Sequence, residues 1–355
     1  LLPVLGFFNV YPMKFSYVAD HFQYLASLGF IVPASAGAAV LSGRLERLYG
    51  AAAGKAAVPA AVSLLLVLGG LTWRQSRIYA SAYSVWLDTL AKNPACWLAH
   101  HGLGVSLEGM GRSREAVEHY REALRLYPGD FQVHYNLGIS LETLGRREEA
   151  VAEYREAIRL NSGFAEARNN LGVALTALGR ADEAVPVYRE TIRIRPGHPK
   201  ARNNLGLALA ALGRTDEAVA QYREALLLEP DDPDARYNLG VALAALGRPG
   251  EAVAQYLEAL RLRPEDPGIR NNLGVALSEL GRPGEAVAQY REALRLGPDD
   301  PEVRNNLGVA LSALGRLDEA VAQYREALRL RPDYPEARHN LKIDLAARGA
   351  AAPPK

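Results

Sequence analysis

Between residues 97 and 334, apolar residues return every three or four positions with charged and amide residues between them. That is the spacing of amphipathic helices, not of strands. The unit from 301 to 334 is representative. Leu307, Val309, Ala310, Leu311 and Leu314 form the apolar stripe of a first helix. Gly315 stops it, because glycine takes the left-handed conformation at a helix end without penalty. A second helix is predicted from Asp318 to Leu330, with its stripe on Ala320, Val321, Tyr324, Ala327 and Leu328. Pro332 then blocks continuation. Gly308 and Ala320 are small enough for the two helices to approach closely, and Tyr324 is expected to fill the wedge between this unit and the next.

The pattern has a period of 34 residues, with glycine at Gly104, Gly138, Gly172, Gly206, Gly240, Gly274 and Gly308, and tyrosine sixteen residues after each. Seven full units follow: 97–130, 131–164, 165–198, 199–232, 233–266, 267–300 and 301–334. Before them, residues 74–96 carry Ala82, Trp86 and Pro94 where a unit's second helix has alanine, an aromatic residue and proline. After them, 335–348 is one more first helix. Lys342 stands there at the glycine position, as befits a polar cap with no second helix to receive. Residues 349–355 read as a disordered tail.

The front of the chain follows a different pattern. Residues 24–41 and 56–73 are uncharged, mostly apolar runs of 18 residues, the lower range for a membrane-spanning helix. Residues 42–55 make a short loop between them, and 1–23 an interfacial segment. Two spans would return the chain to its starting side, so 1–23 and the repeats are expected on the same side of a bilayer. Arg44, Arg47 and Lys55 lie in the loop, against Lys14, Arg74 and Arg77 opposite, so charge alone sets no orientation.

A 34-residue helix–turn–helix period with small, small and aromatic residues at fixed offsets resembles the tetratricopeptide repeat. That resemblance implies an all-α chain: a right-handed superhelical solenoid, here preceded by two transmembrane helices. The front resembles membrane glycosyltransferases as well. Ala19-Asp20-His21-Phe22-Gln23-Tyr24-Leu25 with Ser27-Leu28-Gly29, and the junction from Trp86 to Leu107, are similar to the C-terminal part of bacterial enzymes that end in such repeats. Those enzymes are relatives of the transmembrane-and-tetratricopeptide protein O-mannosyltransferases. In place of the arginine and proline frequent in that family, this chain has His21 and Ala26. The resemblance implies a membrane protein with its repeats outside the cytoplasm. It also implies a polyprenyl-phosphate sugar donor, and a lipid phosphate contacted by Lys14 and His21, with Asp20 orienting one of them or binding a metal. The family's general base belongs to an external loop not represented in this sequence. Lys14, Asp20 and His21 as ordinary interfacial residues is the other reading.

No catalytic constellation, cofactor motif or metal-ligand set appears among the remaining residues. The glycines follow the 34-residue beat and make no phosphate-binding loop, and Cys96 is the only cysteine. The net charge is +1, from 41 basic and 40 acidic residues mixed at short range, so no basic stripe suits nucleic acid. The candidate chemistry is binding. Asn136, Asn170, Asn204, Asn238, Asn272, Asn306 and Asn340 recur two residues before the glycine position, on the face expected to be concave. A carboxamide both donates and accepts, so a row of them can hold the backbone of an extended peptide or protein whatever its side chains. This row resembles the asparagine ladder of O-linked N-acetylglucosamine transferase. Asparagine kept by the repeat pattern alone is the competing reading. A carboxylate clamp needs basic residues four positions earlier, where only Lys200 is basic. Arg168, Arg202, Arg236, Arg270, Arg304 and Arg338 form a second row, expected to lay their stems on apolar surface and pair with nearby carboxylates. The near-identity of the repeats suits acceptor recognition for a membrane O-glycosyltransferase. It also suits a non-enzymatic anchored scaffold, or a rod that self-associates through its repeat ends.

Overall fold

The computed structural model describes residues 81–351 continuously, with isolated positions between 37 and 70. Lys14, Asp20 and His21 lie outside the described residues, as do most of the two apolar runs. Among the described residues, no helix is long and apolar enough to cross a membrane. From residue 81 onward every regular element is an α-helix, and the chain divides into two compact units between Arg146 and Arg147.

The described part of the first unit comprises α1 (Ala82–Lys92), α2 (Trp97–Gly109), α3 (Ser113–Leu126) and α4 (Phe131–Thr143). Trp86 of α1 is buried against Ala99 and Leu103 of α2. Its ring lies where a side chain at Gly102 would project: an ideal Cβ there falls 2.2 Å from the indole. Gly102 occupies the repeat position that holds asparagine in every later unit. The asparagine row therefore starts at Asn136 because the indole takes the space in the first repeat.

The second unit opens with α5 (Arg147–Leu160) and continues as helix pairs. Its first helices are α6 (Ala165–Ala177), α8 (Pro199–Ala211), α10 (Pro233–Ala245), α12 (Pro267–Glu279) and α14 (Pro301–Ala313). Its second helices are α7 (Ala181–Ile194), α9 (Thr215–Leu228), α11 (Pro249–Leu262), α13 (Pro283–Leu296) and α15 (Leu317–Leu330), and α16 (Pro335–Ala351) closes the series.

Local chemistry sets these boundaries. Proline at the first helical position presets φ and loses no bond, since that N–H has no intrahelical partner. Before it, Asp232, Asp266 and Asp300 cap α10, α12 and α14 by accepting from backbone N–H groups of the first turn. At the other end, Gly315 sits at φ 72°, which lets the Arg316 N–H reach back to the Leu311 carbonyl at 3.0 Å. The second helices lack a side-chain cap. Arg316 instead clasps Glu319 with two hydrogen bonds of 2.7 and 2.8 Å, and Arg214, Arg248 and Arg282 do the same.

The close approach within each pair is confirmed, and the tyrosine takes part in it. An ideal Cβ on Gly308 would lie 2.5 Å from the ring of Tyr324, in the same repeat, and Gly206, Gly240 and Gly274 face Tyr222, Tyr256 and Tyr290 in the same way. The ring fills the space left by its own repeat's glycine. The apolar stripe also differs. Leu307, Ala310 and Leu311 are buried, whereas Val309 is 44% and Leu314 41% exposed. Val309 lies about 100° around the helix from Gly308, away from the second helix. Lys342 is exposed as expected, and α16 runs on to Ala351, through alanine-rich sequence expected to be tail.

Candidate functional site

Each asparagine of the row is half-buried on its first helix. In the second unit their side chains connect one repeat to the next. Nδ2 of Asn204 donates to Oδ1 of Asn169 at 3.1 Å, that of Asn238 to Asn203 at 3.1 Å, and that of Asn272 to the Tyr237 hydroxyl at 3.0 Å. Asn306 donates to Asn271 at 3.2 Å and Asn340 to Asn305 at 3.0 Å. Within the first unit, Asn136 donates to Nε2 of His101 at 2.9 Å. That acceptor role requires a neutral imidazole, and burial pushes the His101 pKa down accordingly.

Sequence reasoning missed the acceptors, which stand immediately before each ladder asparagine in their own repeats. Their signal was the recurrent pair itself: Asn169-Asn170, Asn203-Asn204, Tyr237-Asn238, Asn271-Asn272 and Asn305-Asn306. The seam engages one carboxamide N–H of each donor. Each carboxamide has a second N–H and a further acceptor lone pair beyond this bond.

Three residues further along each first helix is a second row: Val173, Leu207, Val241 and Val309 are exposed and Val275 half-buried. Four residues beyond these, Ala177, Ala211, Ala245 and Ala313 are exposed as well. Asparagine, aliphatic residue and alanine thus share one helical face, and Glu279 is the single charge at the alanine position.

The arginine row has a structural task. Nη2 of Arg270 donates to the Pro264 carbonyl at 2.7 Å, that of Arg304 to Pro298 at 2.7 Å, and that of Arg338 to Pro332 at 2.9 Å. Arg202 and Arg236 reach Pro196 and Pro230 likewise. Nη1 of Arg270 and Arg304 also reaches Gln289 and Gln323 at 3.3 Å. Carbonyls are the main partners, because the turn between repeats leaves helix-end carbonyls unpaired. The expected carboxylate pairing is met at Arg338, 3.9 Å from Asp333. Carboxylates are met by other arginines as well. Arg195 reaches Glu166 at 2.5 Å, Arg263 reaches Asp234 at 2.7 Å and Arg331 reaches Glu302 at 3.2 Å. The same two positions hold Gly268 and Gly297 in the repeat from 267 to 300.

Two of the scattered histidines do meet: Nδ1 of His100 and Nδ1 of His119 are 3.0 Å apart, where the repeats from residue 199 onward have arginine and glutamine. Among the described residues, no group of three or more His, Cys, Asp or Glu side chains can hold a metal ion.

Comparison with known proteins adds the family. The tetratricopeptide repeat model matches residues 72–131, 101–163, 135–199, 203–267 and 271–335. The chain belongs to the tetratricopeptide repeat family. It is a protein-binding module of that family. Over 111 residues it is 31% identical to protein O-mannosyl-transferase TMTC1 of Mus musculus, covering 31% of this chain and 11% of that protein. The Homo sapiens protein of that name matches at the same identity and length, with 12% of it covered. The chain thus spans little more than a tenth of these relatives. Among solved structures, the fold is shared with a tetratricopeptide repeat protein from Parabacteroides merdae (TM-score 0.54, 17% identity, 70% of this chain and 98% of that one). It is shared too with the APC/C hetero-tetramer Cut9–Hcn1 (TM-score 0.55, 18% identity, 74% and 52%).

Proposed function

We propose that the repeats are the acceptor-recognition arm of a membrane protein O-glycosyltransferase that uses a polyprenyl-phosphate sugar. The observation that carries this reading is the 31% identity over 111 residues to proteins named O-mannosyl-transferase. The similarity of residues 19–29 and 86–107 to membrane glycosyltransferases ending in such repeats supports it. The apolar runs at 24–41 and 56–73 hold the arm at the bilayer, and the repeats lie outside the cytoplasm. Lys14 and His21 contact the lipid phosphate near the membrane surface, with Asp20 orienting one of them.

The work of the repeats is to hold a protein segment while its hydroxyl is modified elsewhere. Asn136, Asn170, Asn204, Asn238, Asn272, Asn306 and Asn340 serve this by bonding backbone amides, which every acceptor has. A site of this kind tolerates many sequences, whereas one built on charged pockets reads a single motif. The test is binding of serine- and threonine-rich peptides to the full chain in detergent, followed by fluorescence anisotropy. Replacing Asn204, Asn238 and Asn272 by alanine is expected to weaken binding about tenfold, roughly 1.4 kcal/mol, with helix content unchanged. Undiminished binding would leave those asparagines with their seam role alone.

A further inference from the structure

We propose that the first-helix face of residues 165–313 takes an uncharged peptide in the polyproline II conformation, with an aliphatic side chain at every third residue. This rests on the peptide-binding reading above and adds the acceptor's conformation and register.

The first observation is the aliphatic row. Val173, Leu207, Val241 and Val309 are 38–44% exposed, each one turn beyond a ladder asparagine on the same face. Large aliphatic side chains repeated in the open at one position call for an occupant.

The second observation is spacing. Asparagine-to-asparagine bonds of 3.0–3.2 Å join successive first helices directly, so these helices lie side by side. Packed helix axes are about 8–10 Å apart, so the aliphatic rungs recur at about that interval. A polyproline II chain returns a side chain to the same side every three residues, after about 9.3 Å at ~3.1 Å per residue. An extended strand repeats its faces after about 6.7 Å and then about 13 Å, out of step with the rungs.

The third observation is hydrogen bonding and charge. Polyproline II has no internal hydrogen bonds, so its carbonyls are free to accept from the remaining carboxamide N–H groups. The face carries two single charges of opposite sign, Lys200 and Glu279, while Arg195, Arg263 and Arg331 at its border hold the carboxylates of Glu166, Asp234 and Glu302. A segment of one charge sign would gain at one of these and lose at the other.

The experiment titrates the full chain in detergent with labelled peptides of about 18 residues, roughly 56 Å long in this conformation. One has proline-proline-valine repeats. Two have the same composition with valines at every second or every fourth position. The every-third peptide is expected to bind at least about tenfold more tightly than the others. Leu207→Asp with Val241→Asp is expected to abolish that preference at unchanged helix content, since both side chains are exposed. Equal binding of all three registers, or no binding of the every-third peptide, overturns the inference. A proline-free serine- and threonine-rich peptide separates the two readings. If it binds through Asn204, Asn238 and Asn272 while the valine register has no effect, the groove reading stands and this one falls. If it too fails to bind, both fall.

Discussion

The two outer faces of the second unit are built from the same repeats and treat charge in opposite ways. On the second-helix face, Glu183, Glu217, Glu251 and Glu319 each hold their own repeat's arginine and, across the seam, an arginine of the repeat before. Arg155 meets Glu183 at 2.9 Å, Arg189 meets Glu217 at 3.2 Å, Arg223 meets Glu251 at 3.1 Å and Arg291 meets Glu319 at 2.9 Å. On the first-helix face, the seam is made by carboxamides, and aliphatic and alanine side chains face outward. The charged face is satisfied by its own pairs. The first-helix face keeps exposed aliphatic area at Val173, Leu207, Val241 and Val309. On the proposed reading, binding belongs to the face whose seam is made without ion pairs.

The largest way to break this arrangement is at the contact holding the two faces back to back. Gly240→Leu places a side chain where the Tyr256 ring already stands, 2.6 Å from an ideal Cβ. Overpacking of this kind costs about 1–3 kcal/mol, and the upper end is expected, since the smallest possible side chain already collides. Hydrogen exchange should show α10 and α11 opening first, because stability in a repeat array is local. Exchange unchanged in those helices would mean the ring can move aside at little cost.

The same contact responds to alkali. Burial pushes the Tyr290 phenol up to about 12, and Tyr222, Tyr256 and Tyr324 are raised by the same cause. A group whose folded pKa lies above its unfolded value contributes stability in full below the unfolded value, about 10 for tyrosine. As pH rises from about 10 through the folded values, the unfolded chain releases its protons first and stability declines. For Tyr290 alone the loss is on the order of 2 kcal/mol. Urea unfolding at pH 9 and at about pH 11.5 reads it, with absorbance near 295 nm reporting phenolate. Equal midpoints at the two pH values would contradict the burial of these rings.

How much of this was legible in the sequence depends on the range of each interaction. The repeat, the helix boundaries and the glycine–tyrosine spacing were legible because each rests on residues within one period. Which aliphatic residue faces outward was not. Val309, Ala310 and Leu311 are consecutive, and only the direction of the second helix decides that Val309 is the exposed one. The partners of the polar rows were also hidden. Asn204 bonds 35 residues back, and Arg270 finds a proline carbonyl six residues back where a carboxylate was expected. In a sequence of near-identical repeats, every offset of one period recurs equally often, so periodicity cannot say which offset is a contact. The membrane segments and Lys14, Asp20 and His21 lie outside the described residues and stay expectations from sequence.

Sharpening the first-helix face is a smaller change. Each seam bond from a ladder asparagine is worth about 1 kcal/mol net, so Asn238→Ala alone should lower stability by about that amount. Leu207→Asn, at an exposed position, should leave stability within about 0.5 kcal/mol. Paired with peptide titration, the two variants separate seam from surface: the first lowers stability and binding together, the second binding alone.

The smallest effect lies on the charged face, where one link of the series is absent. Leu257 stands at the position held by arginine in Arg155, Arg189, Arg223 and Arg291, and it is 52% exposed. Its counterpart across the seam is Glu285, which has only its own repeat's Arg282, at 2.7 Å. Leu257→Arg rebuilds the pattern of the neighbouring repeats and should stabilise the seam between α11 and α13. Exposed ion pairs contribute about 0.2–1 kcal/mol, and the lower end is expected because Glu285 is already paired. The gain should fade as salt rises from about 0.1 M to about 1 M, where the screening length shrinks from about 10 Å to about 3 Å. A salt-independent gain would assign the effect to removal of an exposed leucine, and the charged face would then owe little of its stability to cross-seam pairs.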